Sequence, residues 1–151
     1  MTHKEIKERL IATAKPLSQL RVKTVAGGVA NAYYALLNEP APKDPNDPYY
    51  WASKEDKLET AHPYLGSTSK QWVIELDSVS AMALHFKRFD TEKSYDKVTF
   101  KDADGNILGI MSGVNDDSFS PVVTGGKMII QFDSDKSVNK FGFEIDAISY
   151  R

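Results

Sequence analysis

The chain has no cysteine. Disulfides, thiolate nucleophiles and Cys-ligated zinc are therefore excluded from the start. Zero cysteine suits the cytosol, and equally a bacterial secreted protein that does without disulfides. There is no basic block either. Nineteen Lys and Arg against 21 Asp and Glu give a net charge of −2, which argues against nucleic acid or an anionic membrane as the main partner. No apolar run approaches the roughly 18 residues that would span a bilayer. The opening MTHKEIKERL is too charged for a signal peptide. The three histidines, His3, His62 and His85, form no His-x-x-x-His pair, so a zinc enzyme has no ligands to use. No Gly-x-Ser-x-Gly turn marks a nucleophilic serine. By its own residues this chain is not expected to be an enzyme. What remains is 151 residues, 41% apolar and 26% charged, the balance of a globular protein with one real core and at most a small appendage.

Three segments differ in their patterning. Residues 1–38 read as helical. Thr2 followed by Glu5 fits a capping box, and Ile6, Leu10, Ile11 and Ala14 recur at helical spacing until Pro16 stops the run. After Ala26-Gly27-Gly28 a second periodic run comprises Val29, Ala30, Tyr33, Tyr34, Leu36 and Leu37, so two short helices joined by a Gly-rich turn are expected. Residues 39–57 carry Pro40, Pro42, Pro45 and Pro48, which keep a chain extended and deny it ladder donors. This segment reads as a linker whose Tyr49, Tyr50 and Trp51 dock on a neighbouring surface. From Leu58 to the end the period is two: Trp72, Ile74 and Leu76; Met82, Leu84 and Phe86; Val98 and Phe100; Met128, Ile130 and Phe132; Phe143 and Ile145. Turn signals at Asp104-Gly105 and Gly125-Gly126 separate the runs. Short alternating strands of this kind indicate a mainly β, antiparallel sandwich or barrel. The expected domains are 1–38, a 39–57 linker and 58–151.

One stretch raises a chemical question. FDTEKSYD, residues 89–96, sets Asp90, Glu92 and Asp96 within eight residues. It reads either as a solvated loop, with Lys93 and Lys97 as partners, or as half of a cation site. Asp102-Ala103-Asp104-Gly105-Asn106 suggests an EF-hand but fails the pattern, because Ile107 stands at the glycine place and Gly113 where a bidentate glutamate belongs. A hairpin turn is expected there. Asn115-Asp116-Asp117 reads as an exposed polar loop, with a second cation contact as the sharper alternative.

The β region resembles a CUB domain, a jelly-roll-like β-sandwich found mostly in extracellular proteins. The resemblance runs from about His62 to Tyr150. It rests on Tyr64-Leu65-Gly66-Ser67-Thr68-Ser69-Lys70-Gln71-Trp72, LHFKRFDTE (84–92), YDKVTFKD (95–102) and FDSDKSVNKFGFEI (132–145). Many members hold calcium with a tyrosine, a glutamate and two aspartates. By motif these fall on Tyr64, Glu92, Asp96 and Asp135, with oxygens or water from Ser137 and Val138. The family's usual disulfide cysteines are missing, which places extra weight on the core and on the ion.

Residues 1–38 are similar to the end of a subtilisin-like serine peptidase domain, through THKEIKERLIATAKPL (2–17) and VAGGVANAYYALL (25–37). That family's catalytic Asp, His and Ser lie upstream of this match, so none of the three falls in this chain. Together the two resemblances imply the C-terminal, non-catalytic accessory domain of a secreted or periplasmic, bacterial subtilisin-like endopeptidase. It would be stabilised by calcium and would bind protein substrate or the parent catalytic domain. A carbohydrate- or surface-binding module using Tyr49, Tyr50, Trp51 and Tyr95 is the rival from another class; a purely structural cap is the third reading. Cut from a parent sheet, Ile6, Leu10, Val29, Tyr33 and Leu37 would lose roughly 1.5–3 kcal/mol each for a large exposed side chain. The helices are therefore expected to pack on the sandwich, on each other or across a homodimer.

Overall fold

Thr2 starts the first helix in the way its spacing to Glu5 requires. Its hydroxyl accepts from the Glu5 amide at 3.3 Å, and the Glu5 carboxylate accepts from the Thr2 amide at 2.6 Å, satisfying two orphan donors at once. The computed structural model describes the backbone of all 151 residues and every side chain except that of Gln19. The chain divides into two units, Met1–Tyr50 and Trp51–Arg151.

In the first unit α1 covers His3–Ala12 and α2 covers Ala32–Leu37. Between them lie a short ladder, β1 (Lys15–Pro16) against β2 (Gly28–Val29), and a single helical turn at Ser18–Leu20. This corrects the simple Gly-rich turn read from the sequence. Gly28 belongs to the ladder, and a Cβ there would sit 2.1 Å from the Lys15 carbonyl oxygen, so only glycine lets the strands approach. The second helix also starts later than its periodicity suggests. Asn31 caps it by accepting from the amides of Tyr33 and Tyr34 at 3.1 and 3.3 Å, which leaves Val29 in the ladder. Neither helix buries a residue. Val25 and Leu36 are more than four-fifths exposed, and Ala14 and Ala41 are the buried apolar residues of this unit.

In the second unit nine strands follow: β3 (Ala52–Glu59), β4 (Ser69–Glu75), β5 (Ala81–Asp90), β6 (Lys97–Lys101), β7 (Ile107–Met111), β8 (Ser118–Phe119), β9 (Val123–Thr124), β10 (Lys127–Asp133) and β11 (Gly142–Tyr150). They form two antiparallel sheets, one ordered β4-β10-β6-β7, the other β3-β11-β5-β8 with β9 also on β5. The mainly β sandwich with two short N-terminal helices agrees with the alternation in the sequence. The start of the unit differs. β3 takes up Ala52–Lys57, residues read as linker, because its Ser53-Lys54-Glu55-Asp56-Lys57 run is exposed on an edge strand. Backbone pairing with β11 makes it a strand, and no apolar period announces it.

The core lies between the sheets. Along β10, Met128, Ile130 and Phe132 are fully buried while their neighbours are only half-buried. Phe143 of β11 is the hub: its ring meets Trp72, Phe86 and Phe132 edge-on at 5.5, 5.7 and 6.1 Å and stacks with Phe89 at 6.3 Å. Such pairs add about 0.5–1.5 kcal/mol beyond area burial, which matters in a module with no disulfide. The expected hairpin at Asp102 is present. The Asp102 carboxylate accepts from the Asp104 and Asn106 amides and from the Asn106 side chain, and these bonds hold its carboxyl below the ordinary aspartate value.

Candidate metal centre

Three of the connections that carry the chain from one sheet to the other supply the site. They are residues 60–68 between β3 and β4, 91–96 between β5 and β6, and 134–141 between β10 and β11. The first brings Tyr64, the second Glu92 and Asp96, the third Asp135, Ser137 and Val138.

Glu92, Asp96 and Asp135 converge, each offering an oxygen within 4.8 Å of the others. Asp96 is fully buried, Glu92 half-buried and Asp135 exposed. The loop that carries the first two is tied tightly. The Asp96 amide donates to the Glu92 carbonyl at 3.0 Å. The buried Thr91 hydroxyl donates to the Asp96 carbonyl at 2.9 Å and accepts from the Gly113 amide at 3.1 Å. Gly66 lets the third loop close over the first: a Cβ there would be 2.9 Å from the Lys136 carbonyl oxygen. The Ser67 amide then donates to the Asp135 carbonyl.

Tyr64 is a positioning group in this arrangement. Its hydroxyl donates to Asp96 Oδ2 and accepts from the Glu92 amide at 3.1 Å. Burial, and next the bond to Asp96, push the phenol up to about 12, so it stays protonated and remains a donor. The Asp135 amide donates to Asp96 Oδ1 at 2.8 Å, and Asp135 Oδ1 accepts from the Ser137 amide at 2.8 Å and from its hydroxyl at 3.4 Å. Val138 adopts φ of 54°, with its carbonyl oxygen 3.5 Å from the Tyr64 hydroxyl. The six residues singled out in the sequence thus lie in one neighbourhood, with Ser137 and Val138 engaged through Asp135 and Tyr64.

The electrostatics are unbalanced. Among the described residues no lysine or arginine forms an ion pair with Glu92, Asp96 or Asp135. Lys93 lies against Gly113 instead. Glu92 Oε2 is buried and has no hydrogen-bond partner. Burial first, then the charges of Asp135 and Asp96, raise the Glu92 carboxyl above its ordinary value, with Lys140 opposing. A buried unpaired acceptor is costly and rare in native proteins. A hard divalent cation with about six to eight oxygen ligands would complete it. The donors here are all oxygen, which fits calcium and leaves out the softer metals that favour nitrogen and sulfur.

Sequence reasoning missed Thr91 and Gly66. Nothing in a loop threonine signals that its hydroxyl will bridge two crossings. Asn115-Asp116-Asp117 is occupied with loop structure. Asn115 donates to the Ser112 carbonyl at 3.0 Å, Asp116 accepts from the Phe89 amide at 2.8 Å, and Asp117 meets His85 Nε2 at 3.1 Å.

Comparison with known proteins agrees with this architecture. The sequence model of one family, described as CUB domain, matches residues 53–147, reaching back over β3 beyond the His62 start read from the motifs. Among solved structures, the chain is similar to the MASP-1 CUB2 domain bound to Ca2+, at 20% identity and a TM-score of 0.51, over 62% of this chain and 90% of that one. It is also similar to the CUB1-EGF-CUB2 domain of human MASP-1/3 (20% identity, TM-score 0.55, 64% of this chain) and to the same three-module segment of rat MASP-1 (18%, 0.54, 64%). The match spans 41% and 40% of the length of those two longer chains. At these identities the likeness is one of fold.

Proposed function

The chain belongs to the CUB domain family, typically protein-interaction modules, and on that premise we propose that residues 51–151 form a calcium-stabilised, non-catalytic interaction module. Glu92, Asp96 and Asp135 would supply the carboxylates, Tyr64 would hold Asp96 in place, and Ser137 and Val138 would add oxygens directly or through water. The observation that carries this reading is the pairing of a fully buried Asp96 with a buried, unpartnered Glu92 Oε2 and no cationic side chain on either. That one of the similar solved structures is described as Ca2+-bound supports it.

Calcium would add binding free energy to the folded state only. At about 100 times the dissociation constant that is about 2.7 kcal/mol, which for a domain of this size raises the melting temperature by on the order of 10 °C. A melt of the chain in millimolar calcium against excess chelator tests it directly. Coincident curves would sink the reading.

We further propose that the module is the accessory domain of a secreted, bacterial subtilisin-like endopeptidase, acting on protein substrates or on the parent catalytic domain. Support comes from the Gly27-Gly28-Val29-Ala30-Asn31-Ala32-Tyr33 string and from a helical unit with large apolar side chains left exposed. Deleting residues 51–151 from such a parent distinguishes the roles. Selective loss of cleavage on large substrates supports binding; equal loss on peptides and proteins supports a structural cap; no change on either rejects the assignment. The carbohydrate-binding alternative finds no flat platform in Tyr49 and Tyr50, whose rings stand at 80° to one another.

A further inference from the structure

The loop that carries Glu92 and Asp96 has a second neighbour besides the site itself. Residues 112–117, which join β7 in one sheet to β8 in the other, run beside it and beside the end of β5. The Asn115 amide donates to the Phe89 carbonyl at 2.9 Å, and Asp116 Oδ1 accepts from the Phe89 amide at 2.8 Å. Asp90 bridges to Val114. The Ser94 amide donates to the Ser112 hydroxyl at 3.2 Å. Thr91 stands in the middle of this series, fully buried. Its amide donates to the Gly113 carbonyl at 3.0 Å, and its hydroxyl accepts from the Gly113 amide at 3.1 Å. The proton of that same hydroxyl goes to the Asp96 carbonyl, five residues on, at 2.9 Å.

Asp96 is gripped at every polar atom. Its amide donates to the Glu92 carbonyl, its carbonyl accepts from Thr91, its Oδ2 from Tyr64 and its Oδ1 from the Asp135 amide. Of these four bonds, the one to Thr91 leads out of the site, to Gly113. Three gathered carboxylates repel one another, and a loose loop would relieve the repulsion by swinging Glu92 towards water. A hydroxyl that donates to Asp96 and accepts from Gly113 opposes that movement without adding a charge. An isosteric valine would leave the Asp96 carbonyl and the Gly113 amide without their partner. Resting on the calcium reading above, we propose that Thr91 is a positioning residue of this centre: its hydroxyl locks the 91–96 loop to Gly113 before any cation arrives and keeps Glu92 and Asp96 together for calcium. Order already present in the free site raises affinity, because binding then does not have to supply it.

Calcium titration calorimetry on the full chain tests this with Thr91→Val, Thr91→Ser and Ser120→Ala beside the parent. Ser120 is the control: its buried hydroxyl accepts from the Leu84 amide at 2.9 Å, a bond that involves no residue of the loop. Thr91→Val should weaken calcium binding by about tenfold or more, and Thr91→Ser, which keeps the hydroxyl, by about threefold at most. Ser120→Ala should bind as the parent does. Equal affinity in the parent and Thr91→Val overturns the proposal and leaves the calcium reading standing. A parent that takes up no calcium overturns both. Binding as weak in Thr91→Ser or Ser120→Ala as in Thr91→Val also overturns the proposal, since general loosening would then be the cause. Amide exchange of the unaltered protein in excess chelator needs neither a variant nor the ion, and stands even where Thr91→Val folds poorly. The Gly113 amide should exchange as slowly as the paired amides of β5. Exchange at the rate of an open loop would mean that the lock is absent before binding, and would overturn the proposal.

Discussion

The Tyr64 hydroxyl donates to the Asp96 carboxylate from a fully buried ring, so a residue of the β3–β4 crossing holds a residue of the β5–β6 crossing. The same oxygen accepts from the Glu92 amide, and the ring packs edge-on against Phe132 at 5.0 Å. Tyr64→Phe keeps that packing and removes the hydroxyl. A buried carboxylate that loses its donor costs about 1–3 kcal/mol. Urea unfolding should therefore show an earlier midpoint at an unchanged slope; an unchanged midpoint would mean that water replaces the hydroxyl without loss.

Asp96→Asn separates the anionic cluster from the cation that would neutralise it. In chelator the substitution removes one of the charges that crowd Glu92, so the variant should melt no lower than the parent by more than the loss of a single hydrogen bond, about 1 kcal/mol. In millimolar calcium the parent should gain stability and the variant should not. Equal calcium shifts for both would remove Asp96 from the site.

The pH dependence has a definite sign. The folded-state Glu92 carboxyl is raised above its ordinary 4.5, so between 4.5 and the folded value the folded chain binds more protons than the unfolded one. Without a cation, Glu92 therefore destabilises the protein fully above its folded value, and this is relieved as pH falls through that value towards 4.5. Calcium needs the ionised form, so the calcium-dependent shift in melting should shrink over the same window. Glu92→Gln should flatten both trends. A calcium shift that grows on acidification would contradict the assignment.

Phe143 touches aromatic rings from both sheets. Phe143→Ala should cost about 3–5 kcal/mol. Near-ultraviolet circular dichroism and a melt would read this as early loss of fixed aromatic packing. A cost below about 1 kcal/mol would mean that the surrounding rings collapse into the gap.

The β-sandwich was legible because core-facing apolar residues alternate with polar ones along its strands, as in Lys97-Val98-Thr99-Phe100-Lys101. β3 was not, because both faces of Ser53–Lys57 meet water and only the ladder to β11 holds it straight. The loop between the helices was misread for a related reason. Gly28 signals a turn equally well whether it bends a chain or lets one strand lie close to another, and only the Lys15 carbonyl decides between them. At the site, the three acids could be picked out by spacing and resemblance. Their unequal burial could not. Asp96 is deep and Asp135 shallow because of how three crossings stack, a long-range matter that no local pattern encodes. The hydroxyl of Thr91 was hidden in the same way.

That all three site loops are crossings has a mechanical consequence. A two-layer sandwich without covalent staples can open like a book, hinging at whichever end is tied most firmly. The stretches 60–68, 91–96 and 134–141 are three of the threads that pass between its covers, and the acids sit on the knot where those three meet. If the proposed calcium binds, tension or protease acting on this module would find its resistance concentrated at that knot, set by the ionic content of the surrounding fluid as well as by the buried rings.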